Sequence, residues 1–206
     1  MSPSPLESIS PLDGRYHNKV GELSKYFSEF ALIRYRVYVE VQWFRTLCEE
    51  NKIPEAKSLS KINQQKLDRL LQTFSTSDAK RIKQIERTTN HDVKAVEYWL
   101  TEQFALLPGL KNLTQFLHFG CTSEDINNIC HGLMLKGAIE NIIMPAIEDL
   151  IKEIETKSKN YASIPMISRT HGQPASPTTL GKEIANFVYR LRKQAKFISK
   201  LRITAK

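Results

Sequence analysis

The sequence predicts an all-α protein, a small N-terminal helical domain followed by the start of a long-helix bundle. Three observations lead there. Apolar residues recur at intervals of three and four along most of the chain, the spacing of a helix with one buried side. No strand-like alternation of useful length appears. Pro108-Gly109 breaks the chain between a stretch of short helices and a stretch of long ones, which places a domain boundary between residues 1–111 and 112–206.

The elements follow in order. Leu23, Phe27, Phe30, Val37, Val41, Phe44 and Cys48 form one apolar stripe, so a helix is expected from Leu23, ended by Asn51 and Pro54. A shorter helix carries Ile62, Leu70, Leu71 and Phe74 and closes at Ser75-Thr76-Ser77. Ile82 and Ile85 open a third, and Val93, Val96, Leu100 and Phe104 mark a fourth. Beyond the break, apolar positions from Ile126 to Ile154 predict one extended helix, bent at Pro145 because proline lacks the N–H that its turn needs. A last helix runs from Ile184 through Leu201. Stripes this long need neighbours, and the chain supplies few, so it is expected to be truncated or to borrow helices from other copies.

Bulk properties narrow the class. Hydrophobic residues make up 41% and charged residues 25%, within the range of ordinary globular chains. MSPSPLESISPLDG has neither a basic head nor an apolar stretch, and no apolar run reaches the roughly 18 residues that span a bilayer. Three cysteines without a CxxC pair fit a reducing compartment. The expectation is a cytoplasmic protein with no membrane partner. The net charge is +8, and residues 182–206 hold eight Lys/Arg against one acid, Glu183, so that one helix carries nearly all of the excess. Such a helix can meet phosphates, but more often it is a solvated face or half of an interface whose acidic partner lies elsewhere, and no nucleic-acid partner is expected.

Polar residues gather at four places. Ser10-Pro11-Leu12-Asp13-Gly14 is a turn, and Arg15 and Tyr16 beyond it are either anion donors or a solvated surface pair. Thr89 and Asp92 have the spacing of a capping box, which places Asn90 and His91 beside a helix start with free amides. Thr122 and Asp125 repeat that spacing and set the hydroxyls of Thr122 and Ser123 at a second helix start, suited to a carboxylate. His118, Cys121, Cys130 and His131 offer a rival metal reading, but their spacing fits no standard zinc pattern and no metal is expected. Finally, His171 lies in a loop stiffened by Pro165, Pro174 and Pro177, with Thr170 and Gln173 beside it and Gly172 open to a ligand. Histidine titrates near neutrality, which makes a fixed one a candidate proton donor or acceptor. No phosphate loop, Gly-x-Ser-x-Gly elbow or HExxH is present.

The segments PLDGRY, ERTTNHDVKAVEY, FGCTSEDINN and SRTHGQPASPTTLGKE, in this order, resemble the successive signature regions of the adenylosuccinate lyase family, within the fumarase/aspartase superfamily. The resemblance covers essentially the whole chain and corresponds to the N-terminal portion. It implies a fumarase/aspartase-like all-α fold, a homotetramer with active sites shared between subunits, and no cofactor. It also implies a carbon–nitrogen lyase of purine biosynthesis. The reaction would be β-elimination of fumarate from adenylosuccinate, leaving AMP, and from the succinylated aminoimidazole carboxamide ribonucleotide.

By the same resemblance His171 is the catalytic acid and His91 a second catalytic histidine that also binds substrate. Arg15, Tyr16, Asn90, Asp92, Thr122, Ser123, Thr170 and Gln173 match substrate-binding positions. The family's base, a serine in a region resembling Ser-Ser-x-Met-Pro-x-Lys-x-Asn, has no counterpart here and would lie beyond Lys206. The 206 residues alone are therefore expected to be inactive and poorly stable. A nucleic-acid-binding helical module and a non-catalytic scaffold descended from the lyase are the alternatives.

Overall fold

The computed structural model describes residues 6–50 and 52–204; Asn51 and Lys206, invoked above, lie outside them. The architecture is helical, with one two-stranded hairpin, and it divides into two compact units at Leu135/Lys136.

The first unit begins with short turns, α1 (His17–Val20), a 3₁₀ turn Gly21–Leu23 and α2 (Ser24–Phe27). The helix expected from Leu23 starts later, as α3 (Glu29–Glu49), because Ser28 is extended and its hydroxyl accepts the Ala31 N–H at 3.1 Å. There follow α4 (Lys61–Thr73), α5 (Thr76–Thr89), α6 (Asp92–Leu106), a 3₁₀ segment Lys111–Phe116 and α7 (Ser123–Ala138), whose last turn already belongs to the second unit.

A core of Val37, Val41 and Phe44 from α3, Leu67 from α4, Ile82 from α5 and Trp99, Leu100 and Phe104 from α6 fills the unit. Phe44 and Phe104 meet edge to face at 5.0 Å, as do Phe74 and Trp99 at 5.3 Å. The single stripe expected for α3 is an underestimate. A second face, with Val39, packs against Val93, Ile126, Cys130 and Met134, and Arg36 and Glu40 are buried as well.

The extended helix expected across Pro145 is interrupted. A π turn, Ile139–Ile143, precedes α8 (Met144–Asn160), and the Met144 N–H reaches back five residues to the Ile139 carbonyl. Pro145 thus falls in the first turn of α8, where a missing N–H costs least.

The second unit comprises this turn, α8, the hairpin and α9 (Leu180–Ile198), with Ile151, Val188 and Ala195 as its buried core. Gly181 makes the junction possible. A Cβ there would stand 2.3 Å from the Ser158 carbonyl oxygen and 2.6 Å from Ala162 Cα.

The stretch read as a proline-stiffened loop is an antiparallel hairpin of β1 (Pro165–Thr170) and β2 (Gln173–Thr179). Its two strands have no further partners among the described residues, so prolines that a central strand would reject are accommodated at its edges. Among the described residues no helix is long and apolar enough to cross a membrane.

Candidate active site

In the first unit, two helix starts are held together. Asn90, at φ +51, ends α5 in the left-handed conformation, and His91 is the N-cap of α6. Thr89 is therefore not the cap that the spacing suggested. It closes α5, and its hydroxyl donates to the His91 carbonyl at 3.2 Å. His91 Nδ1 accepts the Lys94 N–H at 3.1 Å, so Nδ1 carries no proton and Nε2 does. That Nε2 lies 3.3 Å from Ser123 Oγ, at the first residue of α7, and donates to it.

At the α7 start, Asp125 Oδ2 accepts both the Thr122 N–H at 2.7 Å and the Thr122 hydroxyl at 3.0 Å. A histidine edge and a serine hydroxyl therefore meet at the N-terminus of α7, the positive end of its dipole. This is the chemistry that receives an anion.

Behind this face runs a buried polar frame. Asp92 accepts the Val93 N–H at 2.8 Å on Oδ1 and Arg36 Nη2 at 2.5 Å on Oδ2. Partial burial pushes its carboxyl up, but the Val93 N–H and the Arg36 guanidinium outweigh that and hold it below the usual carboxylate range. Arg36 Nε donates to Asn127 Oδ1 of α7 at 2.8 Å.

One turn further along α3, Glu40 is fully buried and pairs with His118 Nδ1 at 2.6 Å. Its Oε2 has no hydrogen-bond partner, and burial raises its carboxyl despite the His118 contact. His118 is thus committed to a carboxylate. Cys121 and Cys130 are thiols that burial pushes up to about 11 and about 12. Among the described residues no group of three or more His, Cys, Asp or Glu is arranged to hold a metal.

Arg36, Glu40 and Asn127 escaped the sequence reading. Their one signal was a pair of opposite charges four apart on α3, off the apolar stripe, which reads as a solvated ion pair.

Arg15 and Tyr16 are exposed, the guanidinium 5.9 Å from the ring centre, beyond a turn in which Asp13 accepts the Ser10 N–H. In the second unit His171 and Gly172 form the hairpin tip, at φ +50 and +76, between the paired Thr170 and Gln173. Positive φ at both positions of a two-residue loop is the type I′ pattern. The conformation is what calls for glycine at 172, since a Cβ there would meet nothing within 4 Å. His171 is exposed and its ring makes no hydrogen bond among the described residues.

A family profile described as "Lyase" matches residues 14–205. The chain belongs to this lyase family. Adenylosuccinate lyase of Vibrio cholerae is 50% identical to the lyase chain over 206 residues, and those of Haemophilus influenzae and Escherichia coli are 50% and 48% identical. Each alignment covers 100% of the chain and 45% of the relative, so the chain spans about half the length of the curated relatives it matches.

A fumarate lyase structure from Mesorhizobium sp. BNC1 superposes with a TM-score of 0.70 at 20% identity, covering 87% of the lyase chain and 39% of its own. The β-carboxy-cis,cis-muconate cycloisomerase of Acinetobacter calcoaceticus does so with 0.66 at 18%, covering 89% and 42%. At these identities the two establish the fold.

Proposed function

We propose that the polypeptide of full family length is an adenylosuccinate lyase, cleaving adenylosuccinate to AMP and fumarate and acting likewise on the succinylated aminoimidazole carboxamide ribonucleotide. The observation that supports this most is the meeting of two helix starts, with His91 Nε2 within 3.3 Å of Ser123 Oγ, in a chain half identical to such lyases along its whole length.

In the proposed reaction a base takes the proton beside a carboxylate of the succinyl group, and the charge spreads into that carboxylate. The Ser123 hydroxyl and the amides at the start of α7 stabilise the charge as it develops, while Thr122, whose hydroxyl donates to Asp125, holds that start in place. The carbon–nitrogen bond then breaks, the electron pair leaves on nitrogen, and His171 delivers the proton that completes AMP. His91 assists at the substrate, and Arg15, Tyr16, Asn90, Asp92, Thr170 and Gln173 complete the binding set.

The base is a serine outside these residues, so the 206-residue chain alone is proposed to be inactive. The enzyme is proposed to be a cytoplasmic homotetramer with shared active sites, acting without metal or cofactor. Residues 1–111 would form one domain and 112–206 the first part of the long-helix domain.

The test is ultraviolet-monitored cleavage of adenylosuccinate by the full-length polypeptide beside its His171→Ala variant. A fall of about a hundredfold or more in the variant is expected. A folded full-length protein without cleavage overturns the reading, and turnover by the 206-residue chain overturns the missing-base argument.

A further inference from the structure

The frame behind the two helix starts contains a residue that touches neither the anion-facing Ser123 hydroxyl nor His91, yet is bonded to the neighbours of both. Arg36 sits in the middle of α3 with 6% of its side chain exposed. Nη2 holds Asp92, the residue after His91, and Nε holds Asn127, one helical turn beyond Ser123. The two partners thus belong to the starts of α6 and α7, the elements that the His91–Ser123 hydrogen bond joins on the other side.

We propose that Arg36 is a positioning residue of the lyase site, its guanidinium fork setting the separation of the α6 and α7 starts so that His91 and Ser123 present one continuous anion-binding face. This rests on the lyase reading.

The choice of side chain supports it. Burying a guanidinium is costly, and an apolar side chain of similar volume often serves stability as well or better. What the fork supplies is geometry: two nitrogens at a fixed angle, each on a different helix. A lysine ammonium is a single point charge on a flexible stem and cannot reproduce that angle. Asp92, held below the usual carboxylate range, keeps the charge on which the clamp depends. His91 in turn keeps its orientation only while α6 begins where it does, because its Nδ1 is the cap of that helix.

The experiment is a double-mutant cycle in the full-length polypeptide, with Arg36→Lys, Ser123→Ala and the double variant compared in single-turnover cleavage of adenylosuccinate. Single-turnover rates remain measurable in slow variants. Arg36→Lys is expected to slow cleavage by about ten- to a hundredfold, the scale of a small misplacement of binding groups. In the Ser123→Ala background the same change is expected to cost little more, because the geometry it sets has already lost its purpose.

Losses that multiply across the cycle overturn the proposal, since a general loss of stability acts independently of Ser123. Should Arg36→Lys give no soluble protein, Asn127→Ala, which removes the α7 arm alone, takes its place with the same two outcomes. A wild-type enzyme that cleaves while the cycle shows independence overturns the Arg36 assignment alone. Absence of wild-type cleavage overturns the lyase reading and this inference with it.

Discussion

Trp99, Phe44 and Phe104 lie enclosed at the centre of the first unit, and α3, α4, α5 and α6 all pack around them. In the second unit the core cluster is Ile151, Val188 and Ala195, while Phe187, Tyr189 and Phe197 of α9 are each more than 60% exposed. The candidate site divides along the same line. His91 and Ser123 are fixed from behind by Arg36 and Asp92, whereas His171 stands on an exposed turn. A unit with a closed core can carry a pre-arranged site on its own frame. The second unit, with a smaller core and large apolar side chains left exposed on α9, carries its histidine on a hairpin tip instead.

The largest expected effect falls on the first unit. Trp99→Ala empties the centre of a closed core and is expected to lower stability by about 3–5 kcal/mol in urea unfolding followed by circular dichroism. A loss below about 1 kcal/mol would mean that the core is not closed.

Gly181→Ala strikes the second unit alone. With its Cβ 2.3 Å from a backbone oxygen, the expected cost is about 1–3 kcal/mol. Hydrogen exchange should quicken in α8 and α9 and stay unchanged in α3 and α6. Exchange that quickens throughout breaks the division.

Glu40→Gln sharpens the account of the frame. Burial raises the Glu40 carboxyl above its ordinary 4.5, so the folded state holds the proton more tightly than the unfolded one. That contribution is complete below the ordinary value and is lost as pH climbs through the folded one. The glutamine variant lacks this slope, and its urea midpoint should gain on wild type as pH rises from 4.5. Parallel profiles would contradict the assignment. The acid limb set by Asp92 has the opposite sign, because its stabilisation disappears as pH falls through a lowered value, and it should survive in the variant.

Smallest is Arg192→Ala. Its contact with Glu155 is an exposed ion pair between α8 and α9, and the unfolding midpoint should stay in place. A clear drop would give the second unit a polar frame like that of the first.

The helical class was legible because spacing by three and four survives any tertiary detail, and so were the two helix starts with His91, Thr122 and Ser123. What failed to show has a common cause. Ser28 reads as one polar residue in a stripe, yet it is a cap, and the π turn before Pro145 adds no residue type of its own. The hairpin was hidden because prolines at 165, 174 and 177 argue against strands, and only pairing of β1 with β2 overrules them. Arg36 and Glu40 look like a solvated pair on one helix, and only the arrival of α6 and α7 on that face turns them inward. The burial of the frame depends on partners far away in the chain, Asp92, His118 and Asn127, which no local pattern encodes.

The non-glycine residues with left-handed backbone among those described are Asn90, His118 and His171, and each falls in one of the polar segments. Such a backbone acts as a sieve on side chains: β-branched and bulky residues are penalised there, while Asn, Asp and His are admitted. At the hairpin tip the fold has thereby narrowed the vocabulary of position 171 before chemistry makes any demand, and within that short vocabulary only histidine brings an imidazole. Asparagine is consequently the replacement that removes the ring and leaves the turn at rest, separating a loss of proton transfer from a loss of shape.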